Sequence, residues 1–530
     1  MIKKWLRKEI SDRIPGVGFD ILMPSEDMLG DYSTNLAFVL AKKKGISPIE
    51  AGKDLVEELL GDKELGKKLR KIQLVPPGFI NFYLSEDYLR NSLVEVVERG
   101  EKFGNSEPGK GVKINLEFVS ANPTGPLTVG NARAASFGDT LGNILEKTGY
   151  QVTKEYYIND VGNQVDKLVE SVKLRMKELK GEKVEFGSEM YQGEYIKEMA
   201  QEFLDKKIPE GHVRAWAINA MIDKAKNSSK KMGVEFDEWF FESKLHESGE
   251  VEAALAELES KGFVIEEDGA KWLKINNEQK AVLVKSDGST TYLLNDIAYT
   301  KNKFGRGFTS TINIWGADHH GDVVRLKTGV AALGYDPDRL EILLHQLVSI
   351  KEDGEIQKMS KRTGRFILMD DLLSEIGKDA IRFFFLSRDL NTHMEFDIEL
   401  AKKQSKENPV FYIQYAHSRL NSIFAKTTNN QQPTTNDLDL LKEKEELRLL
   451  KDLVRFPEVV EGVAENYQVH NLGQYTLNLA GDFHKFYEKH HVIQENDTEL
   501  QSARLLLAQG VHTVLRICLN LMGLSIPEKM

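Results

Sequence analysis

Short apolar strands alternate with amphipathic helices through the middle third of the 530-residue chain. VKINLEFVS (112–120) and QVTKEYYIND (151–160) have the composition of strands, and ARAASFGDTLGNILEKTG (132–149) has apolar residues at helical spacing and ends at a glycine. Further strands are predicted in AVLVKSDGSTTYLL, TINIWGAD and LEILLHQLVSI, with a helix between the last two. Strands separated by helices of this length predict βαβ units in a parallel, doubly wound sheet.

The two ends of the chain have different patterns. In the first hundred residues, a helical segment near 47–72 precedes PPGFINFYL (76–84), which has the residues of a strand. EKFGNSEPGKG (101–111) is rich in Gly, Pro and polar residues and marks a domain boundary. From about residue 377 the pattern is helical, and the apolar face of the last helix includes Cys518, which we interpret as a small core residue.

These patterns predict an α/β multidomain protein with three domains. A small α+β domain covers residues 1–108, a domain built on the doubly wound parallel sheet covers 109–376, and an all-helical domain covers 377–530. Between about 161 and 275 the sequence becomes charged and helical, which predicts an insertion in the middle domain.

The composition, with 41% hydrophobic and 29% charged residues, is that of a globular protein. No apolar run approaches the roughly 20 residues that cross a bilayer, and the N-terminal sequence MIKKWLRKEISDR lacks the apolar core of a secretory signal. The single cysteine excludes an internal disulfide and a cysteine-cluster zinc site. We therefore expect a cytoplasmic protein with no membrane segment and no protein-bound metal.

The net charge of −11 would argue against a nucleic-acid partner if it were spread evenly. Residues 232–270 hold 12 acidic and 2 basic side chains, so this segment carries −10 of the total. The rest of the chain is close to neutral. Basic faces that bind RNA are therefore compatible with the composition.

The loop after the first strand of the middle domain has the composition of a phosphate-binding turn. In ANPTGPLTVGN (121–131), Gly125 and Gly130 allow the backbone to approach a ligand, and the helix that follows presents its N-terminus, which favours an anion. The spacing is neither that of a P-loop nor GxGxxG. An ordinary strand–loop–helix turn is therefore an equal alternative.

Two further segments carry candidate chemistry. KMSKRTG (358–364) is a cationic loop suited to close on a polyphosphate and to neutralise charge that develops in phosphoryl or nucleotidyl transfer; a solvated basic turn is the alternative. WGADHH (315–320) follows a predicted strand, at the sheet edge where ligands bind. Its histidine pair suggests a metal, but a second ligand cluster is lacking, so contact with a nucleotide is the better interpretation.

In their order, these segments resemble the HIGH and KMSKS signatures of class I aminoacyl-tRNA synthetases, and their details resemble the arginyl-tRNA synthetases. The supporting segments are EFVSANPTGPL, DGSTTYLLNDIAY, WGADHHG, DAIRFFFLSR, NPVFYIQYAHSR and GLSIPEKM, which span nearly the whole chain. The resemblance implies a Rossmann-like catalytic domain that activates arginine with ATP and Mg²⁺ to arginyl-adenylate and diphosphate. It further implies that arginine then passes to its tRNA with release of AMP, and that activation requires bound tRNA.

The resemblance also assigns residues to the substrates. Glu117, Asn122, Tyr292 and Asp296 match family positions that hold arginine, and two carboxylates with a phenol suit a cationic, fork-shaped guanidinium. The structural alternative for Glu117 is an ion pair with a neighbouring lysine. The adenosine of ATP is expected at Gly125, Gly316, Asp318 and His319.

The HIGH signature is replaced here by Thr128-Val-Gly130-Asn131, so both family histidines are absent. The threonine hydroxyl and asparagine amide donate hydrogen bonds to phosphate oxygens but cannot become cationic. Loss of one transition-state donor costs about 2–4 kcal/mol. We expect an active enzyme, and the alternative is a catalytically impaired tRNA-binding paralogue. The residues expected to act in catalysis are Thr128, Gly130, Asn131, Lys358, Ser360 and Lys361.

Both ends of the chain are expected to contact tRNA. Phe79 and Asn81 match family positions that contact a D-loop base, although Phe79 could equally be a core residue. Tyr415 and Arg419 lie on one face of a helix in the anticodon-binding region, where ordinary helix packing is the alternative. Another nucleotidyltransferase on the same fold would leave this helical domain unexplained. We expect the protein to be a monomer.

Overall fold

The computed structural model of the protein describes residues 1–24, 30–276, 278–352, 354–357, 367–427, 435–494 and 496–530. Its N-terminal unit contains a four-stranded antiparallel sheet and five helices. The helices are α1 (Ile2–Arg13), α2 (Leu36–Lys44), α3 (Pro48–Leu60), α4 (Lys63–Lys68) and α5 (Glu86–Arg99). The strands are β1 (Ile21–Leu22), β2 (Tyr32–Thr34), β3 (Leu69–Val75) and β4 (Phe79–Leu84), in the order β1-β2-β4-β3.

The predicted strand in PPGFINFYL is confirmed as β4. The single helix expected over 47–72 is two helices followed by the start of β3, because Asp62 begins a new helix by accepting hydrogen bonds from the backbone of Glu64 and Leu65.

The middle unit contains ten strands and eight helices within the described residues. The strands are β5 (Lys113–Glu117), β6 (Gln151–Ile158), β7 (Glu238–Phe241), β8 (Val264–Glu267), β9 (Ala270–Lys274), β10 (Lys280–Val284), β11 (Ser310–Gly316), β12 (Leu340–His345), β13 (Val348–Glu352) and β14 (Glu355–Gln357). The helices are α6 (Val129–Lys147), α7 (Asn163–Leu179), α8 (Glu194–Asp205), α9 (Val213–Lys231), α10 (Glu242–Glu247), α11 (Glu250–Ser260), α12 (Tyr292–Gly305) and α13 (His320–Ala332).

Five of these strands form one parallel sheet in the order β12-β11-β5-β6-β7. Because β5 lies between β6 and β11, the chain crosses in opposite directions on its two sides, and the carboxyl end of β5 is the switch point where such sheets bind ligands. Helix α6 packs very closely on this strand, since a Cβ on Gly138 would lie 2.3 Å from the Phe118 ring.

Strand β7 lies within the range 161–275, for which the sequence predicts an insertion. It pairs in parallel with β6 and therefore belongs to the central sheet. The predicted insertion is thus interrupted by one strand of this sheet. Helices α7 to α9 come before it and have a hydrophobic cluster of their own. Helices α10 and α11 follow it, before the antiparallel sheet β10-β9-β8.

The strand predicted through the end of AVLVKSDGSTTYLL (281–294) is wrong in its second half. β10 ends at Val284, a turn with Gly288 at φ +84° reverses the chain, and Tyr292 is the first residue of α12. Thr291 fixes this start because its hydroxyl donates to the Val282 carbonyl at 2.8 Å. As a result, Tyr292 and Asp296 lie one helical turn apart.

The C-terminal part of the chain is helical, with one short strand. Its helices are α14 (Met369–Ile376), α15 (Lys378–Leu386), α16 (Ile398–Lys402), α17 (Pro409–Ala425), α18 (Lys444–Asn466), α19 (His470–Lys489) and α20 (Thr498–Leu521). The strand, β15 (Met394–Asp397), pairs in parallel with β13. Cys518 is buried, as predicted. The predicted fold class is confirmed: a doubly wound α/β unit between an α+β unit and a helical unit.

The buried Arg382 of α15 ties the middle and helical units together. Its guanidinium donates to the carbonyl of Met522 at 2.7 Å, to the carbonyl of Met232 at 3.0 Å and to Asp139 of α6 at 2.6 Å. Arg382 and Lys154 are the cations that lower the pKa of Asp139, against the effect of its burial. Helix α6, which begins at the switch point, is therefore held directly by the helical unit.

Candidate active site

The chain turns sharply where β5 ends. Val119 and Ser120 have φ of +69° and +39°, a left-handed conformation that is strained for a β-branched residue and is frequent at functional sites. The Tyr156 hydroxyl stabilises this turn, since it accepts from the Ala121 N–H at 3.1 Å and donates to the Ala121 carbonyl at 3.0 Å. The predicted phosphate-binding loop is therefore anchored to β6 at its first residue.

The same loop ends at the start of α6, where two residues that stand in place of the family histidines bond to each other. The backbone N–H of Thr128 donates to the Asn131 side-chain oxygen at 2.9 Å, and the Thr128 hydroxyl donates to that oxygen at 3.1 Å. The asparagine keeps its amide N–H groups as donors. Gly130 lies between them, and a Cβ placed on it would be 3.8 Å from the Thr128 hydroxyl oxygen. The substitutions thus stabilise the helix start that faces the switch point.

Lys358, Ser360 and Lys361 lie outside the described residues. The chain that follows them is described, and it contacts the Thr128 turn. Val129 N–H donates to the Ile367 carbonyl at 3.2 Å, and Met369 N–H donates to the Leu127 carbonyl at 2.8 Å. The segment after the KMSK sequence is therefore fixed beside the loop that corresponds to the HIGH signature.

Glu117, the last residue of β5, is buried and forms an ion pair with Lys303 of α12 at 2.6 Å. The lysine also donates to Asn313 at 3.0 Å. The structural alternative for Glu117 is thus realised, by a lysine 186 residues away. The pair does not remove the carboxylate from the sheet edge, and only Oε2 is used in this ion pair.

Asp296 is half-buried, and its carboxylate accepts no hydrogen bond from any described residue. Burial, followed by the negative charges of Glu117 and Glu242, raises its pKa well above the usual range, and Lys303 acts in the opposite direction. Tyr292, one turn earlier, is 63% exposed. The recess therefore holds carboxylates that repel one another, with one buried lysine between them.

Glu242, which the sequence reasoning missed, belongs to this group. It directly follows β7, and carboxyl ends of parallel strands meet at one edge. One of its oxygens accepts from the Asn295 amide at 2.5 Å, and the carboxylate also interacts with the Tyr157 hydroxyl and with His246. The side-chain oxygen of Asn295 is buried without a hydrogen-bond partner in the described chain. Burial raises the pKa of Glu242.

The insertion helices reach the same loop. The Asn122 amide donates to Gln164 of α7 at 2.7 Å. The hydroxyl of Tyr195 on α8 donates to the Thr124 carbonyl at 2.8 Å. A Cβ placed on Gly125 would lie 3.5 Å from the same hydroxyl. Gln164 and Tyr195 were not singled out in the sequence, because neither lies in a recognised motif. They position the loop that carries Asn122 and Gly125.

Three of the four residues predicted for the adenosine, all except Gly125, lie at or just after the end of β11. Gly316 is its last residue, and a Cβ there would meet the Asp318 carboxylate at 2.4 Å, so a larger residue would displace that side chain. Asp318 and His319 are largely exposed. His345, at the end of the neighbouring β12, was missed; burial and the charge of Arg133 lower its pKa, so the imidazole is neutral.

The predicted tRNA contacts of the N-terminal unit lie on β4. Phe79 is half-buried and packs edge-to-face on Phe38, with ring centroids 5.1 Å apart. Asn81 is 2% exposed, and its side-chain oxygen accepts from the Ser33 hydroxyl at 2.8 Å. These two residues are therefore neighbours on one strand, with Phe79 the more accessible.

In the helical unit, Tyr415 and Arg419 lie together as predicted from their spacing. The guanidinium donates to the Tyr415 hydroxyl at 2.9 Å and stacks over the Tyr415 and Tyr487 rings at 4.9 and 4.5 Å. Both residues line a cavity of about 510 Å³ that also includes Lys529. An aromatic and cationic cavity of this kind suits an unstacked base.

The described chain has neither a cluster of metal ligands nor a membrane-spanning helix. No group of three or more His, Cys, Asp or Glu side chains there has the arrangement of a metal site. None of the described helices is long and apolar enough to span a membrane.

Three family models match successive parts of the chain. The model described as arginyl tRNA synthetase N terminal domain matches residues 1–84, that of tRNA synthetases class I (R), catalytic domain, matches 93–422, and the DALR anticodon binding domain matches 413–530. The switch point, the Thr128 turn and the carboxylate recess all lie within the second match.

Similar proteins extend over nearly the whole chain. Arginine–tRNA ligase of Carboxydothermus hydrogenoformans is 44% identical over 535 residues, covering 97% of this chain and 94% of that protein. The arginine–tRNA ligase of Geobacillus thermodenitrificans is 40% identical over 557 residues, covering 100% of this chain and 99% of that protein. The solved arginyl-tRNA synthetase of Thermus thermophilus shares the fold, with a TM-score of 0.81 at 22% identity and full coverage of both chains.

Proposed function

The chain belongs to the arginyl-tRNA synthetases, and on this basis we propose that it activates arginine with ATP and transfers it to its cognate tRNA. The first step gives arginyl-adenylate and diphosphate, and the second releases AMP. The arginine carboxylate is itself the nucleophile in the first step, so catalysis requires positioning and charge stabilisation rather than a general base.

The observation that carries this proposal is the carboxylate recess beside the switch point. Asp296 has no hydrogen-bond partner for its carboxylate among the described residues, and this carboxylate is partly buried and is repelled by Glu117 and Glu242. A bound cation would offset both the burial and the repulsion. A guanidinium supplies planar N–H donors for Asp296, Tyr292 and Glu117, and its charge also satisfies Glu242. A neutral amino acid would leave these groups unpaired. Asn122, held by Gln164, is placed for the backbone end of arginine.

ATP is proposed to bind as its Mg²⁺ complex across the same edge. The start of α6 directs the N–H of Gly130 and the Asn131 amide to the phosphates. Gly125, Gly316, Asp318 and His319 lie around the adenosine. Lys358, Ser360 and Lys361 are proposed to close on the diphosphate from the segment that precedes Ile367.

No comparison supports the alternative of an impaired paralogue that binds tRNA without catalysis. The Thr128–Asn131 pair gives a physical reason to set it aside, because the substitutions form a defined helix start rather than a disrupted loop. A cytoplasmic location and a monomeric state remain predictions, and light scattering of the purified chain tests the second.

The deciding assay is arginine-dependent ATP–diphosphate exchange, run with and without tRNA. We expect exchange that depends on tRNA, followed by charging of tRNA with arginine. Lys361→Ala should reduce exchange strongly and leave tRNA binding in place. Absence of exchange with cognate tRNA present, together with retained tRNA binding, would instead establish the silent paralogue.

A further inference from the structure

Two cavities, one at the border of the N-terminal and helical units and one within the helical unit, share part of their lining. One of about 320 Å³ lies between β3, α5 and the start of α18. The other, of about 700 Å³, lies between α17, α18 and α19. Lys444 and Arg448 line both, so the two form one continuous groove, which we call the junction groove.

The junction groove is strongly basic although the chain as a whole has a net charge of −11. The smaller cavity has five basic side chains and one acidic side chain, Glu86, in its lining. The larger adds Lys485 and Lys489 together with Glu445 and Asp482. The five basic residues of the smaller cavity are Arg70, Lys442, Lys444, Arg448 and Lys451.

The acidic groups in the junction groove are already neutralised. Glu86 pairs with Arg90 at 2.7 Å, Asp482 with Arg448 at 2.9 Å, and Glu445 with Lys489 at 2.5 Å. By contrast, three exposed cations form no ion pair with a carboxylate of the described residues. These are Arg70, Lys442 and Lys444. They come from both units and face one space.

The position of the junction groove connects the two regions assigned to tRNA. At one end, Tyr412 lines the larger cavity and lies one helical turn before Tyr415, which lines the separate cavity of about 510 Å³. At the other end, Arg70 lies on β3, which pairs with β4 so that Gln73 is opposite Asn81 and Val75 is opposite Phe79. The groove therefore offers a basic path to a polyanion that occupies both regions.

We propose that the junction groove binds the sugar–phosphate backbone of tRNA between its anticodon loop and its D-loop. This inference rests on the proposed function, since it requires tRNA at both ends. Unpaired ammonium and guanidinium groups contact phosphates without reading bases, so the groove adds affinity and orientation but no sequence preference. Because its lining comes from two units, bound RNA also fixes the N-terminal unit against the helical unit.

The test compares the triple variant R70A/K442A/K444A with wild type and with K113A. Lys113 is an exposed lysine at the amino end of β5, on the opposite edge of the sheet from Glu117, and is the matched control. The dissociation constant for tRNA transcripts is measured as KCl is raised from about 50 to 200 mM. Each lost phosphate contact reduces the slope of log K against log salt by about 0.7 to 0.9.

For the triple variant, we expect the slope of log K against log salt to fall by about 2 in magnitude. It should bind both cognate and non-cognate tRNA at least about tenfold more weakly at low salt, so its preference for the cognate tRNA should not change. K113A and the charge-preserving K442R/K444R should match wild type. Exchange at saturating tRNA should keep its kcat, which shows that the variant is folded.

A slope and affinity equal to those of K113A would overturn the proposal, as would a loss confined to cognate tRNA, because that would indicate base reading. Failure of the proposed function has a different signature. In that case the wild type itself would show no arginine-dependent exchange, whatever its salt dependence.

Discussion

Replacing Asp296 with asparagine removes one carboxylate from the arginine recess while keeping the side-chain shape. This carboxylate has no hydrogen-bond partner among the described residues, and its charged neighbours are mainly negative. The cation that acts on it, Lys303, is committed to Glu117 at 2.6 Å. The guanidinium of arginine is the group that we propose to compensate Asp296, so the variant should bind arginine weakly.

The magnitude follows from two opposing effects. Leaving one member of a buried ion pair without its partner costs about 3–5 kcal/mol. The variant recovers part of this cost, because it lacks the repulsion between the Asp296 carboxylate and those of Glu117 and Glu242. A net loss of about 2–3 kcal/mol corresponds to a rise of roughly 30- to 150-fold in the arginine KM.

The assay is ATP–diphosphate exchange at saturating tRNA, with arginine varied over a range of pH. Burial and neighbouring carboxylates raise the pKa of Asp296, and a bound guanidinium would lower it, so wild-type affinity for arginine should rise as pH rises. D296N should lose this dependence. D12N is the control, because Asp12 is an exposed aspartate that pairs with Lys8 at 2.8 Å in the N-terminal unit. An unchanged KM and pH profile in D296N would refute the assignment.

Three further outcomes follow from the structure. Burial raises the pKa of Asp452 to about 7, so its contribution to stability is complete below about pH 4 and is lost as pH rises through 7. D452N should therefore raise the free energy of unfolding by about 2–4 kcal/mol at pH 8 and leave it nearly unchanged at pH 4, as measured by urea unfolding; an equal effect at both pH values would contradict this. The double variant T128H/N131H loses the bonded pair that begins α6, at about 1 kcal/mol of stability, and should change the exchange rate only modestly. A gain of several hundredfold in exchange would show that the native loop is impaired. R382L leaves Asp139 buried without one of its two cations and should lower the unfolding free energy by about 3–5 kcal/mol, whereas a loss below about 1 kcal/mol would exclude Arg382 as the link between units.

The sequence identifies residues of the site where local patterns place them, and it fails where distant segments meet. Tyr292 and Asp296 were found through a motif, although their segment was predicted as a strand. Apolar and β-branched residues do not distinguish a strand from a helix start, and the decisive feature is the bond from Thr291 to Val282.

Glu242 shows the second kind of failure. Its position depends on the parallel pairing of β7 with β6, across three intervening helices. The pairing of Lys303 with Glu117 depends on α12 packing across the sheet, over a separation of 186 residues. No periodicity in either segment reports such contacts, because periodicity describes which face is buried and not what it is buried against.

The distribution of charge explains how an acidic chain presents surfaces for both arginine and RNA. Three carboxylates of the acidic segment 232–270 pair with lysines beyond it, among them Glu259 with Lys271 at 2.6 Å and Glu257 with Lys301 at 2.7 Å. Such pairs are neutral at a distance and do not repel tRNA. Glu242, from the same segment, instead lies in the carboxylate recess, where its charge helps to raise the pKa of Asp296. The junction groove is the opposite case, because its carboxylates are paired and its exposed cations are not. The functions proposed for the recess and the groove both depend on local charges, and the net charge of the chain does not report them.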